Sequence, residues 1–238
     1  MPNYQVIVDE PRLKSFIDWL PKTEPHETFY VALLARNKYA NDAGIGTFNS
    51  DRYQCKRFLS TADRLLDKIR QLECPLGSYV LKGNPVPQEA LALYITPNPR
   101  DQVRATRASL VKFAELIANG SSCHNPAAEV ISQVHKSPGK KSFVDFDFDG
   151  VKAVDVVPKI GEFLNLDAVE VLETRGGFHA LVRLNAVDPT HANTWHRQMS
   201  ALPGVDVKGD NMIPVPGCTQ GGFNPLLYQA SERVKNAV

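Results

Sequence analysis

The chain has 238 residues, of which 43% are hydrophobic and 22% charged, a composition typical of soluble globular proteins. It is long enough to bury a sizeable core, as one large domain or as two tightly joined modules. No apolar stretch is long enough to span a bilayer and no secretory signal stands at the start. We therefore expect a cytoplasmic protein without a membrane partner.

The net charge of +1 is unevenly distributed along the chain. Residues 1–141 carry 19 Lys and Arg against 14 Asp and Glu, whereas residues 142–238 carry 8 against 12. A mildly basic first part and an acidic second part suit a polyanion that is guided towards a metal-binding centre.

The first half of the sequence predicts an α/β module. Hydrophobic patterning predicts strands over residues 27–35 and 90–96 and amphipathic helices over residues 51–72 and 104–119. Ser, Asn, Pro, Gly and Lys are frequent over residues 120–142, which we interpret as the connection to a second module. We place the module boundary within this stretch, so that the N-terminal module covers residues 1–135 and the C-terminal module residues 136–238.

The second half has a regular order of predicted elements. They are a strand at 143–149, a helix at 153–164, strands at 168–174 and 178–184, a helix at 188–202 and a strand that begins at 205–207. This β-α-β-β-α-β order is that of ferredoxin-like and RNA-recognition-motif (RRM-like) folds, so the fold class is α+β. We expect the sheet order 4-1-3-2, with both helices on one face and the other face open.

The first of these strands contains three acids. Asp145, Asp147 and Asp149 alternate with large apolar residues, so all three carboxylates leave the same strand face. Like charges on one face repel, and a divalent cation such as Mg²⁺ or Mn²⁺ relieves that repulsion. A solvated acidic face on an edge strand is the alternative interpretation of the same pattern.

Three further segments converge on this strand in the predicted topology, at residues 173–179, 205–210 and 214–222. Carboxylates from neighbouring strands, including Asp206, can hold two divalent cations for phosphoryl transfer. Arg175 and His179 are candidates to hold a triphosphate, with backbone amides freed by the glycine pair that includes Gly177. The glycine-rich segment 217–222 can approach a nucleotide closely.

This set of motifs resembles the archaeo-eukaryotic primase superfamily, the primase–polymerase catalytic domain. The family has an acidic pair on a strand, a small-residue-x-His motif on a later strand, and an apolar-Asp motif before a Pro-Gly turn. The counterparts here are Val144-Asp145-Phe146-Asp147, Gly177-Phe178-His179 and Val205-Asp206. The pair Asp147 and Asp149 fits the first motif almost as well. The chain departs from the family at Val215, where many members have Arg, and at Gln220, near which some members have a phosphate-binding His. Gln220 is nevertheless a candidate nucleotide-binding residue by its position.

The resemblance implies two interlocked modules and a two-metal nucleotidyl transfer. Asp145, Asp147 and Asp206 correspond to the metal-binding acids, with Asp149 as the alternative, and His179 corresponds to the residue that contacts the nucleotide phosphates. The implied substrates and partners are NTP or dNTP, a single-stranded DNA template and a separate helicase or replication initiator. In the basic N-terminal module, the candidates for tracking the template strand are Arg36, Lys38, Asn98 and Arg100.

Two other functions compete with this one. One alternative rests on Asp147-Phe148-Asp149-Gly150, which resembles the nucleophile loop of haloacid-dehalogenase-like phosphatases. That loop usually lies near the chain start, however, and a phosphatase function would give residues 175–179 no role. The second alternative is a catalytically inactive nucleic-acid-binding replication protein, because RRM-like folds often bind nucleic acid without catalysis. Acids on the sheet face argue against it, since they repel phosphate unless a cation is bound.

Overall fold

The computed structural model describes residues 2–42, 52–120 and 125–235. Residue 51 of the first predicted helix and residues 121–124 of the predicted connection lie outside the described residues. The strands are β1 (Glu27–Arg36), β2 (Arg52–Ser60), β3 (Val80–Leu81), β4 (Asn84–Pro85), β5 (Leu91–Ile95), β6 (Arg100–Asp101), β7 (Phe143–Asp149), β8 (Val169–Thr174), β9 (Gly177–Arg183), β10 (Val205–Gly209), β11 (Ile213–Pro214) and β12 (Leu226–Gln229). The helices are α1 (Glu10–Trp19), α2 (Asn37–Asp42), α3 (Leu65–Arg70), α4 (Gln102–Ala118), α5 (Pro126–His135), α6 (Ala153–Ile160), α7 (Trp195–Ser200) and α8 (Ala230–Lys235).

Two five-stranded antiparallel sheets carry the fold, which confirms the α+β class. The first sheet has the order β11-β5-β1-β2. The short strand β6 pairs with the first two residues of β1. The second has the order β10-β7-β9-β8-β12. None of the helices in the described part of the chain is long and apolar enough to cross a membrane.

The first sheet is built around β1, whose ten residues are all buried. A strand that is buried on both faces needs hydrogen-bonding partners along both edges. β2 supplies one of them, so the predicted helix over residues 51–72 is wrong: residues 52–60 pair with β1, and the helical part is a 3-10 turn at Ala62–Arg64 followed by α3. Tyr53 and Cys55 are half-buried while Gln54 and Lys56 are exposed, which is the two-residue period of a strand.

The predicted connection over residues 120–142 also contains a helix that we did not expect. α5 begins after Asn125, whose side chain accepts a hydrogen bond from the backbone N–H of Ala128 at 3.1 Å. Pro126 occupies the first helical position, where its missing N–H is harmless. A cap and a helix-starting proline outweigh the loop-like composition of the segment.

The strands of the second sheet follow the predicted β-α-β-β-α-β order. Counted along the chain from β7, they lie in the order fourth, first, third, second, and β12 extends the sheet beyond β8. α6 and α7 cover one face, on which Val144, Phe146 and Phe148 are buried. The helix predicted for residues 188–202 is much shorter, because Asp188 accepts the N–H of Thr190 at 2.8 Å and closes a turn instead.

The opposite face of the second sheet is not open along its whole length, as the sequence led us to expect. Phe143, Leu172 and Leu181 point from it into the core beneath the first sheet. There the Phe143 ring stacks on Trp19 with 4.6 Å between the ring centroids. The apolar residues thus close one end of the face, and the acidic residues are left beside a cavity between the sheets.

Candidate functional site

Three side chains stand in one row across the middle of the second sheet. Asp147 on β7 is paired with His179 on β9 and, on the other side, with Asp206 on β10. Directly opposed residues of antiparallel strands project from the same face, so the row lies on the side away from α6 and α7. The sequence motifs that lie about 30 residues apart are therefore brought to one level of the sheet.

His179 lies between two carboxylates of the same strand. Its Nδ1 shares a hydrogen bond of 2.9 Å with Oδ1 of Asp145, and its Nε2 is 3.6 Å from Oδ1 of Asp147. Asp145 is fully buried and its Oδ2 has no hydrogen-bond partner, whereas Asp147 is half-buried and Asp149 is exposed. The three acids are thus unequal, since Asp145 orients the imidazole and the other two face outward.

A cavity of about 290 Å³ separates the acids from the first sheet. One wall contains Asp147, Asp149 and His179, and the facing wall contains Arg36, Lys38 and His135. Gln220, Thr174 and Gly176 also line it, whereas Asp145 does not. The cavity therefore lies between an acidic wall from the second sheet and a basic wall from β1, α2 and α5.

The basic wall is held by aromatic residues of the first sheet. Arg36 is only 7% exposed, and its Nη1 donates to the hydroxyl of Tyr94 at 2.7 Å. The ring of His135 packs on Tyr30 with 4.6 Å between centroids, and burial lowers the pKa of His135. A largely buried guanidinium beside a cavity is suited to binding an anionic ligand.

The predicted nucleotide ligands Gln220 and Arg175 have different positions. Gln220 lines the cavity, and its Oε1 accepts the backbone N–H of Arg175 at 2.9 Å. The guanidinium of Arg175 turns away, donating to the carbonyl of Gly221 at 2.7 Å and lying 3.2 Å from Asp42. It also stacks 4.8 Å from the centroid of the Tyr39 ring, so Arg175 joins the β8–β9 turn to α2.

Gly177 does not line this cavity but a second one of about 490 Å³ on the other side of the β8–β9 turn. It is paired with Asp149, and a Cβ at this position would overlap the carbonyl oxygen of Phe148. The glycine that the sequence linked to nucleotide binding thus permits close approach of β9 to the end of β7.

Asn98 and Arg100 are not placed to track a template strand. They are 1% and 3% exposed, and both bind Asp210 in the turn after β10. Asn98 also accepts the N–H groups of Ser142 and Phe143 through Oδ1 at 2.7 and 2.9 Å. These residues join the first sheet to the two strands that carry the acids. Their burial could not be predicted from residue type, because Asn and Arg are usually exposed.

The carboxylates provide the oxygen ligands that Mg²⁺ and Mn²⁺ prefer. Asp147 and Asp149 line the cavity, and Asp206 stands beside Asp147 on the neighbouring strand. The buried Oδ2 of Asp145, which has no hydrogen-bond partner, adds an acceptor beneath them. This donor set fits a divalent cation, although within the described ranges no three His, Cys, Asp or Glu side chains are already grouped to hold one.

No protein-family model, curated protein or solved structure matches this chain. The site residues that the sequence missed are Tyr94 and His135, together with the role of Arg36 as a cavity wall. They come from three separate elements of the first module, and no spacing or motif connects them to the acidic strand. Only the packing of the two sheets brings them together.

Proposed function

We propose that this chain is a template-directed nucleotidyltransferase, a DNA primase or primase–polymerase. The observation that carries the proposal is the row formed by Asp206, Asp147 and His179 on three adjacent strands, beside a cavity with a basic far wall. Nucleotidyl transfer needs acids for cations and positive groups for a triphosphate within one small space. Both are present here at opposite walls.

The proposal includes an RRM-like core in the C-terminal half. It is supported by the strand order β10-β7-β9-β8 and by the packing of α6 and α7 on one face. The two modules interlock, because β11 follows this core in the chain but pairs with β5 of the first sheet.

In this proposal Asp147, Asp149 and Asp206 hold the divalent cations, which supply activation of an attacking hydroxyl and stabilisation of the leaving pyrophosphate. The geometry supports the pair Asp147 and Asp149, because both line the cavity while Asp145 is buried against His179. His179 contacts the nucleotide phosphates, in an orientation fixed by Asp145.

The basic wall binds the rest of the triphosphate. Arg36 and Lys38 face the acids across the cavity, and Gln220 stands between the walls as a neutral hydrogen-bonding group. The substrates are NTP or dNTP and a single-stranded DNA template, with a separate helicase or replication initiator as partner.

Primer synthesis on single-stranded DNA tests the proposal, using labelled nucleotides with Mg²⁺ or Mn²⁺. We expect incorporation by the native chain and a loss of at least about a hundredfold in the double variant Asp147→Asn/Asp149→Asn, because it removes two acids that hold cations. Asp155→Asn is the matched control, since Asp155 is an exposed acid on α6.

Two results would overturn the proposal. Hydrolysis of p-nitrophenyl phosphate without any nucleotide incorporation would assign the acids to a phosphatase. Binding of single-stranded DNA without incorporation, unchanged in the double variant, would leave a non-catalytic replication protein.

A further inference from the structure

The outward face of α4 carries large aliphatic side chains. Val103, Leu110 and Ile117 are 46%, 65% and 76% exposed, and Val111 beside them is 60% exposed. The first three are spaced by seven residues, which is close to two turns of an α-helix. They therefore form one stripe along the helix.

This stripe lies away from the side of α4 that packs into the protein. The buried residues of the helix are Ala105 and Ser109. At 3.6 residues per turn they are separated from Leu110 and Ile117 by about 80–140° around the helix axis, so the stripe lies outside the side of α4 that packs into the protein. Contiguous exposed aliphatic surface is typical of protein interaction sites.

The charges around the stripe are mostly positive. α4 contains three basic residues, Arg104, Arg107 and Lys112, against the single acid Glu115. Glu115 lies 3.6 Å from Lys112, and Asp101, which precedes the helix, lies 3.5 Å from Arg104, so the positive charge beside the stripe is mainly that of Arg107. Arg107 is exposed, and the side chain of Arg104 is 64% exposed.

We propose that the outward face of α4 docks an amphipathic α-helix of a partner protein whose flank is acidic. Aliphatic residues at every seventh position supply one of the two rows of a helix–helix seam, and acidic residues beside that seam complement Arg107 and the exposed guanidinium of Arg104. A second copy of this chain fits less well, because it would bring one net-positive helix against another. A nucleic acid fits less well too, since base stacking uses aromatic rings and the stripe is aliphatic.

The proposal does not depend on the nucleotidyltransferase activity, because the stripe is separate from the residues that line the cavity. The test uses two designed helical peptides with leucines at heptad spacing, one flanked by glutamates and the other by lysines at the same positions. Binding to the full chain is measured by fluorescence anisotropy at low salt.

We expect the acidic peptide to bind at least about tenfold more tightly than the basic one. Leu110→Glu/Ile117→Glu should weaken binding of the acidic peptide by at least about tenfold, since it puts acids into the seam. Arg104→Glu/Arg107→Glu should reverse the preference between the peptides. Val154→Glu is the matched control and should change nothing, because Val154 is 59% exposed on a different helix, α6.

Thermal unfolding of each variant verifies that the fold is kept. Equal binding of the two peptides, no binding of the acidic peptide, or tight binding that survives Leu110→Glu/Ile117→Glu would each overturn the proposal. Sedimentation velocity supplies the remaining contrary outcome: a dimer that Leu110→Glu abolishes would assign the face to a second copy of this chain.

Discussion

Arg100 donates from Nη1 to Oδ2 of Asp210 at 2.6 Å, and its Nη2 donates to the backbone carbonyl of the same residue at 2.9 Å. The two residues are 110 positions apart in the chain. Asp210 follows β10 directly, so this pair fixes the end of the strand that carries Asp206 to the first sheet. The position of an acid in the site thus depends on a contact outside it.

Arg100→Ala should lower the free energy of unfolding by about 2–4 kcal/mol, because it removes a buried guanidinium and leaves the half-buried carboxylate of Asp210 with Asn98 as its remaining partner. Urea denaturation measures the change. Arg104→Ala is the control, since Arg104 is largely exposed and its pair with Asp101 is worth at most about 1 kcal/mol. Equal changes in the free energy of unfolding for the two substitutions would show that the Arg100–Asp210 pair stabilises the fold no more than an exposed pair does.

Gly177→Ala should destabilise the second sheet by more than about 3 kcal/mol, because the added methyl group overlaps the carbonyl oxygen of Phe148. Gly176→Ala is a closely matched control: its new Cβ would have no neighbour nearer than 3.8 Å. Thermal unfolding followed by circular dichroism distinguishes the two. A native midpoint in Gly177→Ala would mean that β7 and β9 separate easily at this end.

Asp145→Asn should mainly lower the stability of the fold, whereas Asp149→Asn should mainly weaken Mn²⁺ binding. The first places an amide N–H₂ in a fully buried position and should cost about 1–3 kcal/mol of stability. The second alters an exposed acid at the cavity, so it should leave the unfolding midpoint nearly unchanged and weaken Mn²⁺ binding.

Calorimetric titration with Mn²⁺ and urea denaturation, performed on both variants, measure the two effects. Unchanged Mn²⁺ affinity in Asp149→Asn together with lost affinity in Asp145→Asn would instead make Asp145 and Asp147 the working pair.

Stability should fall as the pH is lowered through the range in which His135 titrates. Burial, and secondarily the charge of Arg100, lowers the pKa of this imidazole below the ordinary value of 6.5, while Asp210 opposes the shift. The unfolded chain therefore binds a proton more readily than the folded chain, so the contribution of His135 to stability is fully present above its ordinary pKa of 6.5 and decreases progressively as the pH falls below it.

His135→Phe keeps a ring against Tyr30 but cannot take up a proton. Its urea midpoint should decline less than that of the native chain between pH 7.5 and pH 5.5. An identical decline in both proteins would show that other groups cause the dependence.

The acidic strand was predictable to the residue, because Asp and Phe alternate over Phe143–Asp149 and no helical period competes. Regular patterns also predicted the order of elements from β7 to β10. From that order we expected His179 and Asp206 on the sheet face of Asp147, and the strand pairing places them opposite Asp147.

The first module was harder to predict, because its local patterns do not decide its structure. Residues 58–72 have helical spacing of apolar residues, yet β2 extends through Phe58 to Ser60, since β1 needs a partner along its edge. Burial of Asn98 and Arg100 depends on Asp210, more than a hundred positions away. No local sequence signal reports such a contact.

The pairing of β11 with β5 has a consequence for biosynthesis. Ile213 and Pro214 cover the outer backbone of β5, but they leave the ribosome long after the rest of the first sheet. Until then, β5 presents unpaired N–H and C=O groups on a strand whose five residues are all apolar or aromatic and buried in the finished fold. Such a strand is a template for pairing between chains, so truncated or slowly translated forms of the protein are the ones most exposed to aggregation.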